Sequence, residues 1–438
     1  MLKTLQNAFK VKDVRHRIFY VLMMLVVIRI GSQLPVPGVD GSYFKTWFES
    51  QTGDAFNFLD AFTGGSFSQM SIFALSITPY ITSSIIIQLL TIAIPKLEEM
   101  QRDGEDGRKK LGAITRYVTI GLSLFESIAM AIGFGNKGLI PDNSFVKMVV
   151  VVVALTAGSA FLMWVGEQIN EKGVGNGISI VLLINIVSRI PSDMTKLYES
   201  FMKGKIIAKA LLSGVIIAAI IVGVVILVII LNGAERRIPV QYSKKMQGRK
   251  MMGGQSSHIP LKVNTAGVIP VIFASSIMSF PSVIASFLGK TGGTGIGGKI
   301  LAGMNSNNWF DLEHPWYSIG LVAYIVMVIF FAYFYTSIAF NPLEVADNMK
   351  KQGGFIPGIR PGKPTSDYLT KMLNYIIFIG AVGLIIVAVI PFFFNGVFGA
   401  HVSFGGTSII IVVGVVLETL KQIESQLLVR NYKGFLNS

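Results

Sequence analysis

ISIVLLINIVSRI, residues 178–190, decides how the whole chain is threaded. The stretch is apolar but short for a membrane crossing, which takes about 20 residues. Six longer apolar runs, at 18–34, 112–133, 145–166, 207–231, 318–340 and 372–394, read as spanning helices without it. Three more, 71–94, 265–288 and 407–428, are apolar but interrupted by Pro or polar residues, and Glu418 and Lys421 shorten the last. Membrane helices tolerate such breaks where neighbouring helices satisfy the freed backbone groups. If 178–190 crosses, the loops and termini on the N-terminal side carry roughly 26 Lys and Arg against about 10 opposite, leaving out Arg29 and Arg116 inside spans. If it does not cross, every later loop changes side and the count becomes roughly 18 against 18, which no orientation rule would select. The charge bias therefore predicts ten spans with both termini cytoplasmic. One loop departs from it, since the outer connection after 178–190 is expected to carry Arg189, Lys196, Lys203, Lys205 and Lys209.

Composition points the same way. The 438 residues are 52% hydrophobic and 14% charged, with a mean hydropathy of +0.61, against roughly 25% charged in an average soluble domain. Cysteine is absent, which excludes disulfides, thiolate metal sites and cysteine nucleophiles. The opening MLKTLQNAFKVKDVRHR is basic and amphipathic, and no small-residue cleavage site ends the run from Ile18 to Leu34, so a retained first span is expected. The net charge of +14 is accounted for by cytoplasmic loops without invoking nucleic acid.

No enzyme or cofactor machinery is legible. HExxH and GxSxG are missing, and His16, His258, His314 and His401 have no ligand spacing. GGTGIGGK at 292–299 matches two phosphate-loop patterns, yet Ile300 stands where Ser or Thr is needed and no strand precedes it; a flexible outer loop is expected. A solute carrier would need clustered acids in its spans. Here Glu126 is single in its helix, and Arg29 lies near enough to a helix end to snorkel. Two cytoplasmic loops, 232–264 and 341–370, are longer than a carrier needs. Both are rich in Gly, Lys and Arg, and Pro and Gly at IPV, FIPGIRPG and GKP predict shaped hairpins that face a partner.

Six blocks are specific enough to carry a family resemblance: RIGSQLPVPGVD (29–40), SIFALSITPYITSSIIIQLL (71–90), FLMWVGEQINEKGVGNGISI (161–180), HIPLKVNTAGVIPVIFASSI (258–277), NPLEVADNMKKQGGFIPGIRPG (341–362) and FGGTSIIIVVGVV (404–416). In these blocks and their order, nearly end to end, the chain resembles the SecY family, the channel subunit of the bacterial Sec protein translocon. The resemblance implies an all-α membrane protein with ten transmembrane helices in two pseudo-symmetric five-helix halves, 1–205 and 206–438, around a central pore. ITPYITSSI (77–85) and VIPVIFASSI (268–277) each set a Pro before a Ser pair in corresponding places of the two halves. The implied localisation is the bacterial cytoplasmic membrane. The implied partners are SecE and SecG, the SecA ATPase, a translating ribosome touched through its RNA, signal sequences, unfolded preproteins and membrane lipid.

The family blocks also assign residues. A hydrophobic pore ring falls on Ile77, Ile81, Ile178, Leu182, Ile272 and Ile411; bulky aliphatic side chains at a waist gate by dewetting and offer ions no binding site. On residue type alone these six are indistinguishable from neighbours that pack or face lipid. DAFNFLDAFTGGSF, 54–67, is too short to cross and reads as an interfacial helix; the resemblance makes it a plug on the outer side, with Phe58, Leu59 and Phe62 as its apolar residues and Gly64 and Gly65 as its hinge. A lateral gate between the second and seventh spans is expected at Thr82, Gln88 and Asn264, polar contacts of about 1 kcal/mol that can part. The resemblance implies docking of SecA or the ribosome on the two long loops: Arg360 matches the family's loop arginine, while Arg236, Arg237, Arg249 and Lys250 supply positive charge on the other loop, with salt-sensitive electrostatics if RNA is touched.

Overall fold

A computed structural model describes residues 2–50, 60, 63–135, 138, 144–203, 207–242, 245–247, 250–252, 256–287, 296–305, 308–310, 314–398 and 406–436. The described elements run α1 (Leu2–Lys10), α2 (Lys12–Gly31), α3 (Gly41–Ser50), α4 (Thr78–Ala93), α5 (Pro95–Arg102), α6 (Gly104–Gly135), α7 (Phe145–Lys172), α8 (Gly177–Phe201) and α9 (Ile207–Gly233). Then follow β1 (Glu235–Tyr242), β2 (Lys245–Gln247), β3 (Lys250–Met252), β4 (Ser256–Lys262), α10 (Ile269–Phe287) and α11 (Ile296–Met304). The last are α12 (Ser318–Ala339), α13 (Pro342–Lys351), β5 (Gly354–Phe355), α14 (Lys363–Phe398) and α15 (Gly406–Leu436).

Among the described residues, six helical stretches are long and apolar enough to cross a membrane: 104–135, 145–172, 177–199, 211–233, 315–351 and 363–390. The stretch that decided the topology is one of them. α8 does not stop at Ile190 but continues through Pro191 to Phe201. Arg189 and Lys196 therefore lie on a helix and not in the outer connection where the sequence put them. α4 and α5 together make a seventh candidate, bent by 104°. The bend has a local cause: Ile94 precedes Pro95, is pushed to an extended conformation (φ −112°, ψ 109°), and Pro95 has no N–H to continue the ladder. The other expected crossings, α2, α10 and α15, are helices outside this set.

The run 71–94 is not one helix. Residues 64–77 are turns and a bridge, and α4 starts only at Thr78, with Pro79 in its first turn. The backbone of the preceding segment bonds elsewhere: Ile72 N–H donates to Leu34 C=O (2.9 Å) and Val36 N–H to Met70 C=O (3.0 Å). Residues 292–295 lie outside the described residues, while 296–299 open α11, so the expected loop there is partly helical.

The described chain forms two compact units: Met1–Lys196 with Ser282–Gly298 and Val415–Ser438, and Leu197–Pro281 with Lys299–Gly414. In the first, Val36, Phe44, Phe67, Met70, Met130, Phe134, Val151 and Leu155 form a core in which the rings of Phe44 and Phe134 meet edge to face at 4.9 Å. Hydroxyls inside α6 are satisfied by their own helix, Thr119 donating to Thr115 C=O (2.7 Å) and Ser127 to Ser123 C=O (2.6 Å). In the second unit, Val224 and Val228 of α9 pack with Val271, Tyr324, Val328, Leu384, Val387 and Ile410.

The second unit also carries sheet, so the fold is mostly helical and not all-α. β1 pairs antiparallel with β4 from Glu235↔Lys262 to Gln241↔Ser256, and with β5 at Gln241↔Phe355 and Tyr242↔Gly354. The hairpin expected in 232–264 is present. In 341–370, α13 forms first, capped by the Asn341 side chain, which accepts from Leu343 N–H (3.2 Å), and started by Pro342. The two loops thus join in one three-stranded sheet. Ile238, Val240, Leu261, Met349, Ile356, Leu369 and Ile376 make its own buried cluster.

Candidate functional site

Four helices present the expected ring residues, all in or just before their first two turns. Ile77 caps α4 and is fully buried, with Ile81 half-buried one turn on. Ile178 and Leu182 stand a turn apart at the start of α8, Ile272 in the first turn of α10, and Ile411, buried, near the start of α15. Ile77, Ile81, Ile178 and Leu182 belong to the first unit; Ile272 and Ile411 belong to the second. Ile77 is held at the helix entry by an unusual backbone: Ser76 has φ +52°, a left-handed conformation that costs a non-glycine residue about 1 kcal/mol. The Asn185 side-chain amide of α8 donates to its hydroxyl (2.9 Å).

Phe58, Leu59 and Phe62 of the expected plug lie outside the described residues. Gly64 and Gly65 are described and both have positive φ, +68° and +86°. At Gly64 a Cβ would stand 2.7 Å from both the Cα and the carbonyl oxygen of Asn185, so the turn can approach α8 this closely only as glycine. Next to this contact, Asp60 and Arg189 form an ion pair with side chains 2% and 11% exposed. Asp60 also accepts from Ser68 N–H (2.8 Å), and Ser188 donates its hydroxyl to Gly64 C=O (3.3 Å). Sequence reasoning missed this pair. The available signal was an acid inside an otherwise apolar short segment together with an Arg in the last turn of an apolar run.

Thr82 and Gln88 lie half-buried on α4. Asn264 sits in the turn between β4 and α10, and its amide donates to the Asn232 side-chain oxygen at the end of α9 (2.7 Å). Two charges expected inside spans fare differently. Arg116 of α6 pairs with Glu167 of α7 at 2.6 Å, and Arg29, expected to snorkel, keeps Nη1 buried with no hydrogen-bond partner among the described residues.

On the loop sheet, Arg236 and Arg237 are exposed on β1, with Arg237 paired to Glu235 at 2.7 Å. Arg360 is exposed in the turn between β5 and α14, and the Thr365 hydroxyl donates to its carbonyl at 2.8 Å. Lys250 lies on β3; Arg249 falls outside the described residues.

Among the described residues, six helical stretches long and apolar enough to cross a membrane, with the buried hydroxyls of α6 satisfied inside their own helix and a basic sheet outside the apolar segments, define a multi-pass membrane protein. Residues 71–420 match the SecY family model. Over its whole length the chain is 44% identical to a protein translocase subunit SecY of Halalkalibacterium halodurans, covering 100% of both. The chain belongs to the SecY family. In fold it is similar to a solved protein-conducting channel, with a TM-score of 0.61 at 18% identity over 94% of this chain and 92% of that one. It is similar also to Sec61 in a canine ribosome–channel complex from the endoplasmic reticulum, with a TM-score of 0.60 at 17% identity and the same coverage.

Proposed function

We propose that the chain is the channel-forming subunit of a protein translocase, passing unfolded secretory proteins across the bacterial cytoplasmic membrane and releasing membrane segments sideways into lipid. The observation that carries this is its full-length kinship with a translocase subunit. In this reading ten spans form two halves, near 1–205 and 206–438, with both termini cytoplasmic. Ile77, Ile81, Ile178, Leu182, Ile272 and Ile411 converge as a waist that excludes ions when idle and yields around a moving chain. The segment near 54–67 plugs that waist from outside. Thr82 and Gln88 on one side and Asn264 on the other line the exit to lipid, where weak polar contacts hold and part.

The chain itself supplies no hydrolysis, so the driving energy comes from partners on the loop sheet. Arg236, Arg237, Arg249, Lys250 and Arg360 receive SecA or the ribosome, and SecE and SecG complete the membrane complex. Support for the ribosome comes from the fold likeness to a channel held in a ribosome complex. Support for a docking platform comes from the way both basic loops are built into one sheet.

A photo-crosslinker at Gln88 tests the route. A stalled secretory chain is expected to yield an adduct through its signal sequence. No adduct, with saturable small-solute uptake into vesicles instead, would replace the reading with a solute carrier. Arg360→Glu is expected to abolish motor-driven export while the protein remains inserted; undiminished export would remove Arg360 from docking.

A further inference from the structure

One face of α8 holds the chain that leads into α4 at three successive points. Asn185, Ser188 and Arg189, spaced at i, i+3 and i+4, reach Ser76 Oγ, Gly64 C=O and the Asp60 carboxylate respectively. Ile178 and Leu182 continue the same face toward the N-terminus of α8, by the spacing 178, 182, 185, 189. From these contacts we infer that Asp60 and Arg189 are a positioning pair, a latch that fastens the plug segment to α8 and sets how readily it leaves. The inference rests on the channel reading for what the segment does, but its contacts stand independently of that reading.

The two ends of the latch do different work. Asp60 organises its own turn as well as pairing: Oδ1 accepts from Ser68 N–H, and its carbonyl accepts from Gly65 N–H (3.2 Å) and the Thr63 hydroxyl (3.2 Å). Arg189 only joins that turn to the helix. Asp193, buried one turn further along α8, adds its charge to the field at Arg189. Arg189 Nε is enclosed with no partner among the described residues, so the guanidinium has given up hydration that the pair does not fully restore. Such a pair holds firmly while dry, because removing one partner strands a buried charge, yet both ions recover hydration once water enters.

The absence of cysteine makes the test direct. Ser66 is 1% exposed and its hydroxyl has no partner among the described residues, so Ser66→Cys places a single thiol of this chain beside the latch at the loss of no hydrogen bond among them. In sealed vesicles carrying the full chain with its copurified partners, labelling by a small membrane-impermeant thiol reagent reads how often the segment opens. Arg189→Gln and Asp60→Asn are each expected to raise the labelling rate, by roughly a hundredfold for a stranded buried charge. The double variant is expected to label no faster than the faster single one, because the two changes break one interaction. Rates that multiply in the double variant, or singles that label like the parent, would overturn the latch. A thermal melt of each complex separates local release from unfolding: the latch requires fast labelling of a thiol in a complex that still melts like the parent. The latch and the channel reading fail separately. Coupled labelling in vesicles that translocate nothing would leave the latch standing and sink the channel; normal translocation with uncoupled labelling would do the reverse.

Discussion

Ile238→Ala separates a platform from the charges displayed on it. Ile238 is 2% exposed on β1, the strand that pairs with β4 on one side and β5 on the other, and it packs in the small cluster with Val240, Leu261, Met349 and Ile356. Truncating a buried Ile to Ala costs about 2–5 kcal/mol. A three-stranded sheet with a cluster this small has little more than a few kcal/mol of local stability to lose. The substitution is therefore expected to open both loops while the membrane helices, among which α14 contributes Leu369 and Ile376 to this cluster but keeps Leu384, Val387 and Ala388 in a separate core, stay folded. Hydrogen exchange of the β1 and β4 amides should accelerate by about 30-fold or more. Binding of a soluble motor ATPase to inverted vesicles should weaken in parallel. Arg360→Glu makes the contrast, since that side chain is exposed: binding should fall with exchange unchanged. Fast exchange with undiminished motor binding would refute the idea that the joined sheet is the docking platform, and unchanged exchange would refute the stability assigned to Ile238.

Three further outcomes are expected. Gly64→Ala forces a Cβ to within 2.7 Å of the Asn185 backbone at φ +68° and should displace the turn at 63–66, which on the proposed channel reading raises the ion conductance of idle vesicles several-fold; unaltered conductance would show that the turn can approach α8 without glycine. Gly substitutions at the six ring positions together should make idle membranes leak ions, while unchanged conductance would remove those residues from the gate. Arg116→Gln and Glu167→Gln should each lower the thermal stability of the purified complex, and the double variant should lose less than the sum, by about 1 kcal/mol; strict additivity would mean the 2.6 Å pair contributes nothing.

The helices were legible because apolar composition at crossing length leaves a chain few choices, and even α8 could be assigned from the charge of loops remote from it. Its extension to Phe201 was not legible, since Pro191 and the charges after Ile190 read as a helix end. The break before Thr78 was hidden for another reason. SIFALSI is as apolar in a buried turn as in a helix, and periodicity cannot distinguish the two. What decides is where its backbone groups bond, and Leu34, whose carbonyl accepts from Ile72 N–H, answers that from another part of the chain.

The sequence by itself determined the membrane class, the long basic loops and, through six ordered blocks, the family. Local composition and charge carry those properties, and they survive without knowing what touches what. Only the tertiary structure decided that the two long basic loops share one sheet, that Gly64 is required by the backbone of Asn185, and that Asp60 meets Arg189. Each of these joins residues distant in sequence, and a strand pairing, a close approach or a buried ion pair leaves no periodic trace in the segments it brings together.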